Sequence, residues 1–466
     1  INASKRASSY GACVNIRYDV LVKALLNMLE TMQVKVRWES TFIALDRDAK
    51  RVRFSTLSEE WECQVDTLLA CDGSHSHIRR QFVDDSFDTL QTFLSFSMHG
   101  DLTPYVAHSS LLYWIYHPVC RACLVAHDLS SYQVMQIPIF PPHESIDDYS
   151  PSRLLTMMKA LTCDDSFSCK FSDISQWDMA CYLAPSMQFD WVFLAGDSAH
   201  TMTPAGGLGL NTAIGDVVNF IWKLAHSYNT TQDILKSYGE ERYPVAKQNV
   251  SHSFDNYQDF IRPAKVLGLD ITYAPWVAKY LTACERYLPT PLASFASLGV
   301  SLPIDFASYA VRANNPVSYS AMQQLKFAIA NNADHFSGIK QHLRFRYVSN
   351  FFVHDDNVMD NALCGVGRRF EYVTMKVGGS SWKKVLRQDF YGWTMIVDAT
   401  WLTVALTKRL AKRVNVVSFS TQQTFWRIGF DTVDHGLLAI IIRPDAIVAW
   451  CGNDYKTFTQ LIDKWM

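Results

Sequence analysis

Apolar residues recur along this chain in helical and in alternating rhythms, and each rhythm predicts an element. Over residues 16–32 (IRYDVLVKALLNMLETM) Leu21, Leu25, Met28 and Leu29 fall at helical spacing, and short alternating runs at Val34–Trp38, Thr41–Asp46 and Arg51–Ser55 predict strands. Val65–Cys71 (VDTLLAC) reads as a buried strand that stops at Asp72-Gly73. From about Phe93 to Ala184 the text alternates with high aromatic content (FLSFSMHG, LLYWIYH, ACLVAHDL, YQVMQIPIF). Interrupted by Pro104, Pro118 and Pro138, it predicts an antiparallel sheet. Trp191–Ala195 is another buried strand, ending at Gly196-Asp197. A Gly/Pro-rich loop follows, then a helix with Leu210, Ile214, Val217, Ile221 and Leu224 on one apolar face. Residues 233–252 continue helically, and 263–345 are mostly helical with prolines at 275, 289, 291, 303 and 316. The C-terminal part mixes both rhythms. It reads as a strand at Trp393–Ala399, a helix at Trp401–Lys412 and a strand at Val414–Phe419. Strands at Leu437–Arg443 and Ile447–Trp450 flank Pro444-Asp445, and a helix closes at Asp454–Trp465.

The strand–loop–helix from Phe193 to Leu224 carries the most chemistry. A carboxylate at a strand's C-terminal edge, Asp197, can accept a hydrogen bond from a sugar-like hydroxyl. Pro204 stiffens the loop, while Gly206, Gly207 and Gly209 remove side chains that would keep a flat ligand from the backbone. The helix start then offers unpaired N–H groups and a positive dipole end to negative charge, which suits an isoalloxazine ring that becomes anionic on reduction. Gly196, Asp197, Ala199, His200, Pro204, Gly206, Gly207, Gly209, Asn211 and Asp216 together match the pattern of FAD-dependent aromatic hydroxylases, the single-component flavoprotein monooxygenases, and the chain resembles that family. A second signature, D-G-x-x-S-x-x-R, stands at Asp72, Gly73, Ser76 and Arg79. Tyr238, Glu241, Arg242 and Pro244 match the family's Y-x-x-E-R-x-P.

The resemblance implies a fold of α/β and α+β type: a Rossmann-like FAD-binding domain interleaved with an antiparallel-sheet substrate domain, plus a C-terminal thioredoxin-like domain. The expected division is 1–90 and 186–262 for FAD binding, 91–185 for substrate, 263–365 for a helical region returning to the body (His335–Tyr347), and 366–466 for the thioredoxin-like part. That last part carries R-P-D-x-x-V-A-W (Arg443, Pro444, Asp445, Val448, Ala449, Trp450), with Cys451 where the family has Arg, and lacks C-x-x-C, so an interaction or stability role is expected. By the same resemblance Asp197 holds the ribityl chain. Pro204, Gly206, Gly207, Leu208, Gly209, Leu210 and Asn211 line the ring, and Gly196, Asp72, Gly73 and Arg79 complete the cofactor set. Pro204, Gly207 and Leu208 lie nearest the chemistry. Arg17 is either a pyrophosphate contact or a solvated arginine. Tyr113, Trp114, Met135 and Ile137 are candidates for an aromatic pocket, and His99, His117 or Tyr113 for the substrate's proton acceptor. The implied reaction is flavin reduction by NAD(P)H, O2 addition at the flavin C4a, and hydroxylation of a phenolic or polyketide-like aromatic substrate.

Composition narrows the partners. The 466 residues carry 43 basic and 45 acidic side chains with no basic tract, which argues against nucleic acid or an anionic membrane as partner. Apolar runs such as Leu437–Ile442 are too short to span a bilayer, and scattered cysteines suit reduced thiols and a cytoplasmic location; a homodimer is allowed. Cys120-Arg121-Ala122-Cys123 precedes a strand-like run rather than a helix, so a sheet turn is expected there, and no metal site. No W-x-W-x-I-P segment of a flavin-dependent halogenase is present. An isoprenoid-chain flavin reductase would fit the C-terminal part poorly. No G-x-G-x-x-G follows an early strand; the only near matches, at Gly207 and at Gly365, lack the third glycine. The chain is therefore expected to be an N-terminally truncated piece. The alternative reading is an inactive relic or a binding protein of the same fold that has lost FAD.

Overall fold

The computed structural model describes residues 16–84, 86–117, 121–141, 144–228, 234–266, 316–331, 345–352, 366–370, 373–377, 383–384, 392–410, 414–419, 424–428, 431–432 and 439–465. Helix α1 (Tyr18–Thr31) opens with Asp19 in its first turn, which favours the positive dipole end. Strands β1 (Thr41–Asp46), β2 (Arg51–Ser55) and β3 (Glu60–Gln64) form an antiparallel sheet in that order, with Phe54 stacked on Trp61. Two expectations are corrected here. Val34–Trp38 forms no strand, because Gln33 and Glu39 on either side adopt left-handed backbone (φ 56° each) and turn the chain. Within Val65–Cys71 only Leu68–Ala70 is strand, β4.

The middle of the chain is an antiparallel sheet of β5 (Thr89–His99), β6 (Leu112–Tyr116), β7 (Arg121–Asp128), β8 (Tyr132–Ile139) and, beyond helix α2 (Pro151–Thr162), β9 (Lys170–Ala180), in the order β6-β7-β8-β5-β9. Ser150 caps α2 by accepting the Arg153 N–H, and Pro151 supplies the first-turn residue that needs no N–H. One face of the sheet packs Leu94, Phe96, Met98, Leu124, Met135 and Ile137 against Leu154, Met157 and Met158 of α2.

The chain then returns to its first part. After β10 (Tyr182–Leu183) and β11 (Gln188–Phe189), strand β12 (Val192–Leu194) pairs parallel with β4, Val192 opposite Leu68 and Leu194 opposite Ala70. Two segments more than a hundred residues apart therefore end side by side. Strand β13 (His200–Thr201) pairs back to β10, and helices α3 (Gly209–Ser227) and α4 (Ser237–Val266) follow.

Helix α3 does have the apolar face that its spacing predicts, but that face is not turned to the core. Its apolar stripe is outward: Leu210, Ile214, Val217 and Ile221 are 52%, 49%, 36% and 50% exposed, and only Leu224 packs on the core. The buried side carries the polar Thr212, Asp216, Asn219 and Lys223 beside the rings of Phe220 and Trp222. Polar groups tolerate burial there because each finds a hydrogen-bond or ion-pair partner.

Of the helical stretch expected at 263–345, α5 (Pro316–Asn331) is described, and most of the remainder, including His335, lies outside the described residues. In the C-terminal part, β14 (Val373–Val377) and β15 (Lys383–Lys384) precede β16 (Trp393–Asp398), helix α6 (Val404–Leu410) and β17 (Val414–Phe419). Then come β18 (Thr424–Ile428), β19 (Asp431–Thr432), β20 (Ala439–Ile442), β21 (Val448–Gly452) and α7 (Tyr455–Trp465). One sheet runs β17-β16-β20-β21, with β16 parallel to β17 and the other pairs antiparallel; a second runs β15-β14-β18-β19. Phe458, Leu461, Ile462 and Trp465 of α7 bury at helical spacing against the first sheet, in a core that also takes in Trp222 of α3 and Val245 of α4.

Candidate functional site

Because β4 and β12 run parallel, their C-terminal ends bring the turns at Asp72-Gly73 and Gly196-Asp197 together. The Ala195 N–H donates to the Ala70 carbonyl at 3.0 Å, and the Ser198 hydroxyl reaches the same carbonyl at 2.8 Å. Asp72 faces its own turn, accepting the Ser76 hydroxyl at 2.5 Å and the Ile78 N–H at 3.1 Å, while Gly73 takes a left-handed φ of 82°. Arg79 is fully buried. Its guanidinium donates to the Ser198 carbonyl at 2.7 Å and the Ser74 carbonyl at 2.8 Å and lies 4.5 Å from the Tyr182 ring centre, so it ties the two turns to each other. Asp197 points outward, and its carboxylate has no hydrogen-bond partner among the described residues. Surrounding protein, by displacing water, holds its pKa above the usual carboxylate range, and His200 pulls the other way.

The loop after β13 makes the approach to α3. The Gly207 N–H closes on the Pro204 carbonyl at 3.1 Å, with Gly206 and Gly207 at φ 103° and 64°. A Cβ at Gly207 would meet nothing within 4 Å, so the turn faces open space where a ligand can lie against bare backbone. Leu208 is buried beneath the helix start, and its carbonyl accepts the Thr212 N–H and hydroxyl. Asn211 folds back to the Gly207 carbonyl at 3.0 Å, and Leu210 stands exposed beside it. No side chain caps α3, which leaves its first-turn N–H groups available to an anion or a polarised carbonyl.

On the other side of the same loop, Pro204 and Ala205 form one wall of a largely apolar cavity of about 190 Å3. The sheet face opposite α2 supplies Phe93, Trp114, Cys123, Gln136 and Pro138; α4 supplies Tyr257, Phe260 and Ile261. Strand register explains the selection. Trp114 pairs with Cys123 and Cys123 with Gln136, whereas Tyr113 pairs with Leu124 and Leu124 with Met135, so the two ladders fall on opposite faces. Of the four residues expected in an aromatic pocket, Trp114 lines the cavity, while Met135 and Ile137 belong to the core under α2 and Tyr113 packs against that core. Tyr257 and Phe260 were not foreseen, because only the packing of α4 brings them to the sheet; Phe260 stacks on Trp114 at 4.4 Å between ring centres.

Arg17 pairs with Asp19 at 2.7 Å and lies 4.2 Å from the Tyr132 ring centre, and no hydrogen bond joins it to either turn. The Tyr113 hydroxyl donates to the His108 carbonyl and accepts the Ser110 N–H, and His99 pairs with the Ser172 hydroxyl at 3.0 Å. Neither His99 nor His117 lines the cavity. Cys120 lies outside the described residues; Cys123 is in β7, where burial pushes its thiol up to about 12. Among the described residues no helix is long and apolar enough to cross a membrane.

A family model described as "FAD binding domain" matches residues 4–253. The 2,4-dichlorophenol 6-monooxygenase of Cupriavidus pinatubonensis is 30% identical over 256 residues, which is 50% of this chain and 42% of that protein. Aklavinone 12-hydroxylase DnrF of Streptomyces peucetius is 29% identical over 239 residues, 50% of this chain and 49% of that protein. The chain thus spans about half the length of the curated relatives it matches. Among solved structures, the flavin-dependent monooxygenase PieE in complex with FAD and substrate superposes with a TM-score of 0.74 at 19% identity, over 98% of this chain and 80% of that one. A ternary complex of aklavinone-11 hydroxylase with FAD and aklavinone gives 0.65 at 19% identity, over 97% and 78%. At such identities the likeness shows the fold: a mixed α/β architecture shared with FAD-dependent monooxygenases.

Proposed function

Since the chain belongs to the FAD binding domain family, that of the FAD-dependent phenol and polyketide hydroxylases, we propose that it forms the flavin- and substrate-binding body of an aromatic monooxygenase. One observation carries this reading. A single loop, Pro204-Ala205, is walled on one side by an apolar aromatic cavity and continues on the other into a bare glycine turn at an uncapped helix start. A flat cofactor and a flat substrate can therefore lie on either side of a thin partition.

The residues present fit FAD. Asp197 offers the carboxylate for the ribityl hydroxyls, with Gly196, Asp72 and Gly73 at the neighbouring turn and Arg79 holding the two turns in place. Pro204, Gly206, Gly207, Leu208, Gly209, Leu210 and Asn211 would border the ring. When bound, the flavin would accept electrons from NAD(P)H and activate O2 for transfer of one oxygen atom. The first-turn N–H groups of α3 would favour the electron-rich ring, because backbone donors are already aimed and need no reorganisation. Trp114, Phe260 and Phe93 would stack and orient an aromatic substrate in a site that excludes water. Gln136, Arg121 and Tyr257 are the polar groups in the cavity wall that could hold a phenolic oxygen. Within this proposal residues 1–90 and 186–262 bind the cofactor, 91–185 the substrate, and 263–365 return the chain to the body. The β17-β16-β20-β21 order, with its one parallel pair and two helices, supports a thioredoxin-like reading of 366–466.

The test is flavin content and turnover of the complete gene product. Purified protein should be yellow, and phenolic compounds should stimulate its NAD(P)H oxidation and gain one oxygen. Asp197→Ala should weaken FAD binding at least about tenfold, the effect of removing a hydrogen bond made by a charged group. A correctly folded product that cannot be reconstituted with FAD would instead favour the non-catalytic relic.

A further inference from the structure

Behind the Gly196–Ser198 turn lies a buried set of charged side chains that the reading above does not use. Two consecutive residues of α4 divide it. Arg242 donates to Asp216 Oδ1 from Nε at 2.7 Å, to the Thr212 carbonyl at 3.1 Å and to the Tyr347 hydroxyl at 2.8 Å. The other Asp216 oxygen accepts the Gly196 N–H at 3.0 Å and sits 2.7 Å from His200 Nε2. Glu241 turns the opposite way. Its two oxygens each accept an Arg443 guanidinium N–H at 2.9 Å, and Oε2 also lies 3.0 Å from Lys223 Nζ. Arg443 sits in the loop between β20 and β21, is fully buried, and directs its Nε to Asp445 at 2.9 Å.

The set balances: Asp216, Glu241 and Asp445 against Lys223, Arg242 and Arg443. Burial would raise the Glu241 carboxyl, but Arg443 and Lys223 outweigh it and hold the group down at about 2. Buried ion pairs of this kind contribute little net stability compared with apolar residues of the same size, and their best-attested use is to select one geometry. Here the geometry selected is that of the turn. The amide of Gly196 is oriented by Asp216, Asp216 by Arg242, and Arg242 shares a helical turn with Glu241, which the C-terminal sheet grips through Arg443.

We propose that Arg443 is a positioning residue for the Gly196-Asp197 turn: through Glu241, Arg242 and Asp216 the C-terminal sheet sets the pose of the turn and with it the affinity for FAD. The inference rests on the turn being a flavin site. It gives the C-terminal part, which has no C-x-x-C, a task inside the hydroxylase body.

The experiment measures FAD dissociation constants by fluorescence quenching on reconstituted apoprotein, with circular dichroism confirming the fold. Asp216→Asn and Arg443→Met should each weaken binding about tenfold, although Arg443 and Asp216 share no hydrogen bond. The double variant should be no weaker than the weaker single one, because both act along one path. The visible flavin spectrum of Arg443→Met should shift in the same sense as that of Asp216→Asn, a change that a purely structural defect would not produce. Wild-type affinity in folded Arg443→Met, or two effects that multiply in the double variant, would overturn the proposal. Should Arg443→Met not fold, Glu241→Gln replaces it. Weakening the carboxylate that Arg443 grips should weaken FAD about threefold, within the usual range for a single hydrogen bond, and wild-type affinity there would equally overturn it. Wild-type protein that binds no FAD at all would defeat the flavin reading instead, so the two failures are distinct.

Discussion

The face that the five-stranded sheet turns to α2 hides mainly apolar side chains, whereas helix α3 hides charged and polar ones beside two aromatic rings. The sheet buries Leu94, Phe96, Leu124, Met135 and Ile137 against α2, whereas α3 buries Thr212, Asp216, Asn219 and Lys223 beside Phe220 and Trp222 and turns Ile214 and Ile221 outward. Apolar burial stabilises the sheet without regard to partner identity, since it scales with area removed from water. The inner face of α3 depends on each charge meeting a particular opposite. The sheet should therefore tolerate volume-conserving exchange and be weakened by truncation, whereas α3 should tolerate truncation on its outer stripe and be weakened by isosteric loss of charge on its inner side.

The largest effect expected is in the sheet. Phe96→Ala removes a ring that is 1% exposed and packs edge-on to Phe171, and should cost about 3–5 kcal/mol of unfolding free energy. Chemical denaturation with an unchanged slope measures it. A loss below about 1 kcal/mol would mean that the cluster under α2 repacks freely, against the close packing described.

The next effect belongs to the charged side of α3 and appears as pH dependence. Glu241 titrates at about 2 in the folded chain against an ordinary 4.5, so the folded state releases its proton more readily than the unfolded one. Its contribution to stability is complete above pH 4.5 and is lost as pH falls through about 2; it amounts to about 3 kcal/mol. Lys223 acts on the alkaline side with the same sign of slope, here as a burial cost relieved when the ammonium loses its proton. Burial pulls its ammonium down to about 8, against the attraction of Glu241, so stability rises with pH between about 8 and 10.5. Unfolding midpoints across both windows should show an acid limb that is reduced in Glu241→Gln. An acid limb identical in wild type and variant would mean that Glu241 is not held as an ion in the folded protein.

Much of the architecture was legible in residue order, for reasons that the two regions make plain. Alternation over 93–140 suffices for strands, because a sheet with two covered faces still keeps its period of two; four of the five strands follow from it. Alternation does not say which face meets α2 and which the cavity, so Trp114 and Met135 look alike in the sequence and part only in the register. The strand–loop–helix at 191–227 was legible from its glycines and proline, and the antiparallel β20–β21 pair from apolar runs around Pro444-Asp445. Tyr257 and Phe260 were not, because nothing local marks a helix end that folds across a distant sheet. Arg79 and the Glu241–Arg443 pair also escaped notice as anchors. Their partners lie 119 and 202 residues away, and a buried arginine is written with the same letter as a solvated one.

The smallest effect is the most direct check on the outward apolar stripe of α3. Helical spacing puts Ile214 and Ile221 on one apolar face, yet both are about half exposed, and the inward side includes the charged Asp216 and Lys223. Ile214→Ser should then change the unfolding free energy by no more than about 0.5 kcal/mol, the range for surface substitutions, since isoleucine and serine have similar helix propensities. Asp216→Asn on the opposite side serves as the contrast. It weakens one carboxylate's hold on Arg242, His200 and the Gly196 amide, and should cost more than the isoleucine change although it alters no volume. If Ile214→Ser costs 2 kcal/mol or more, within the range for removing a fully buried aliphatic side chain, the stripe is covered in the folded protein. Helix α3 would then be buried on both sides, by area on one and by charge pairing on the other, and its difference from the sheet would be one of degree.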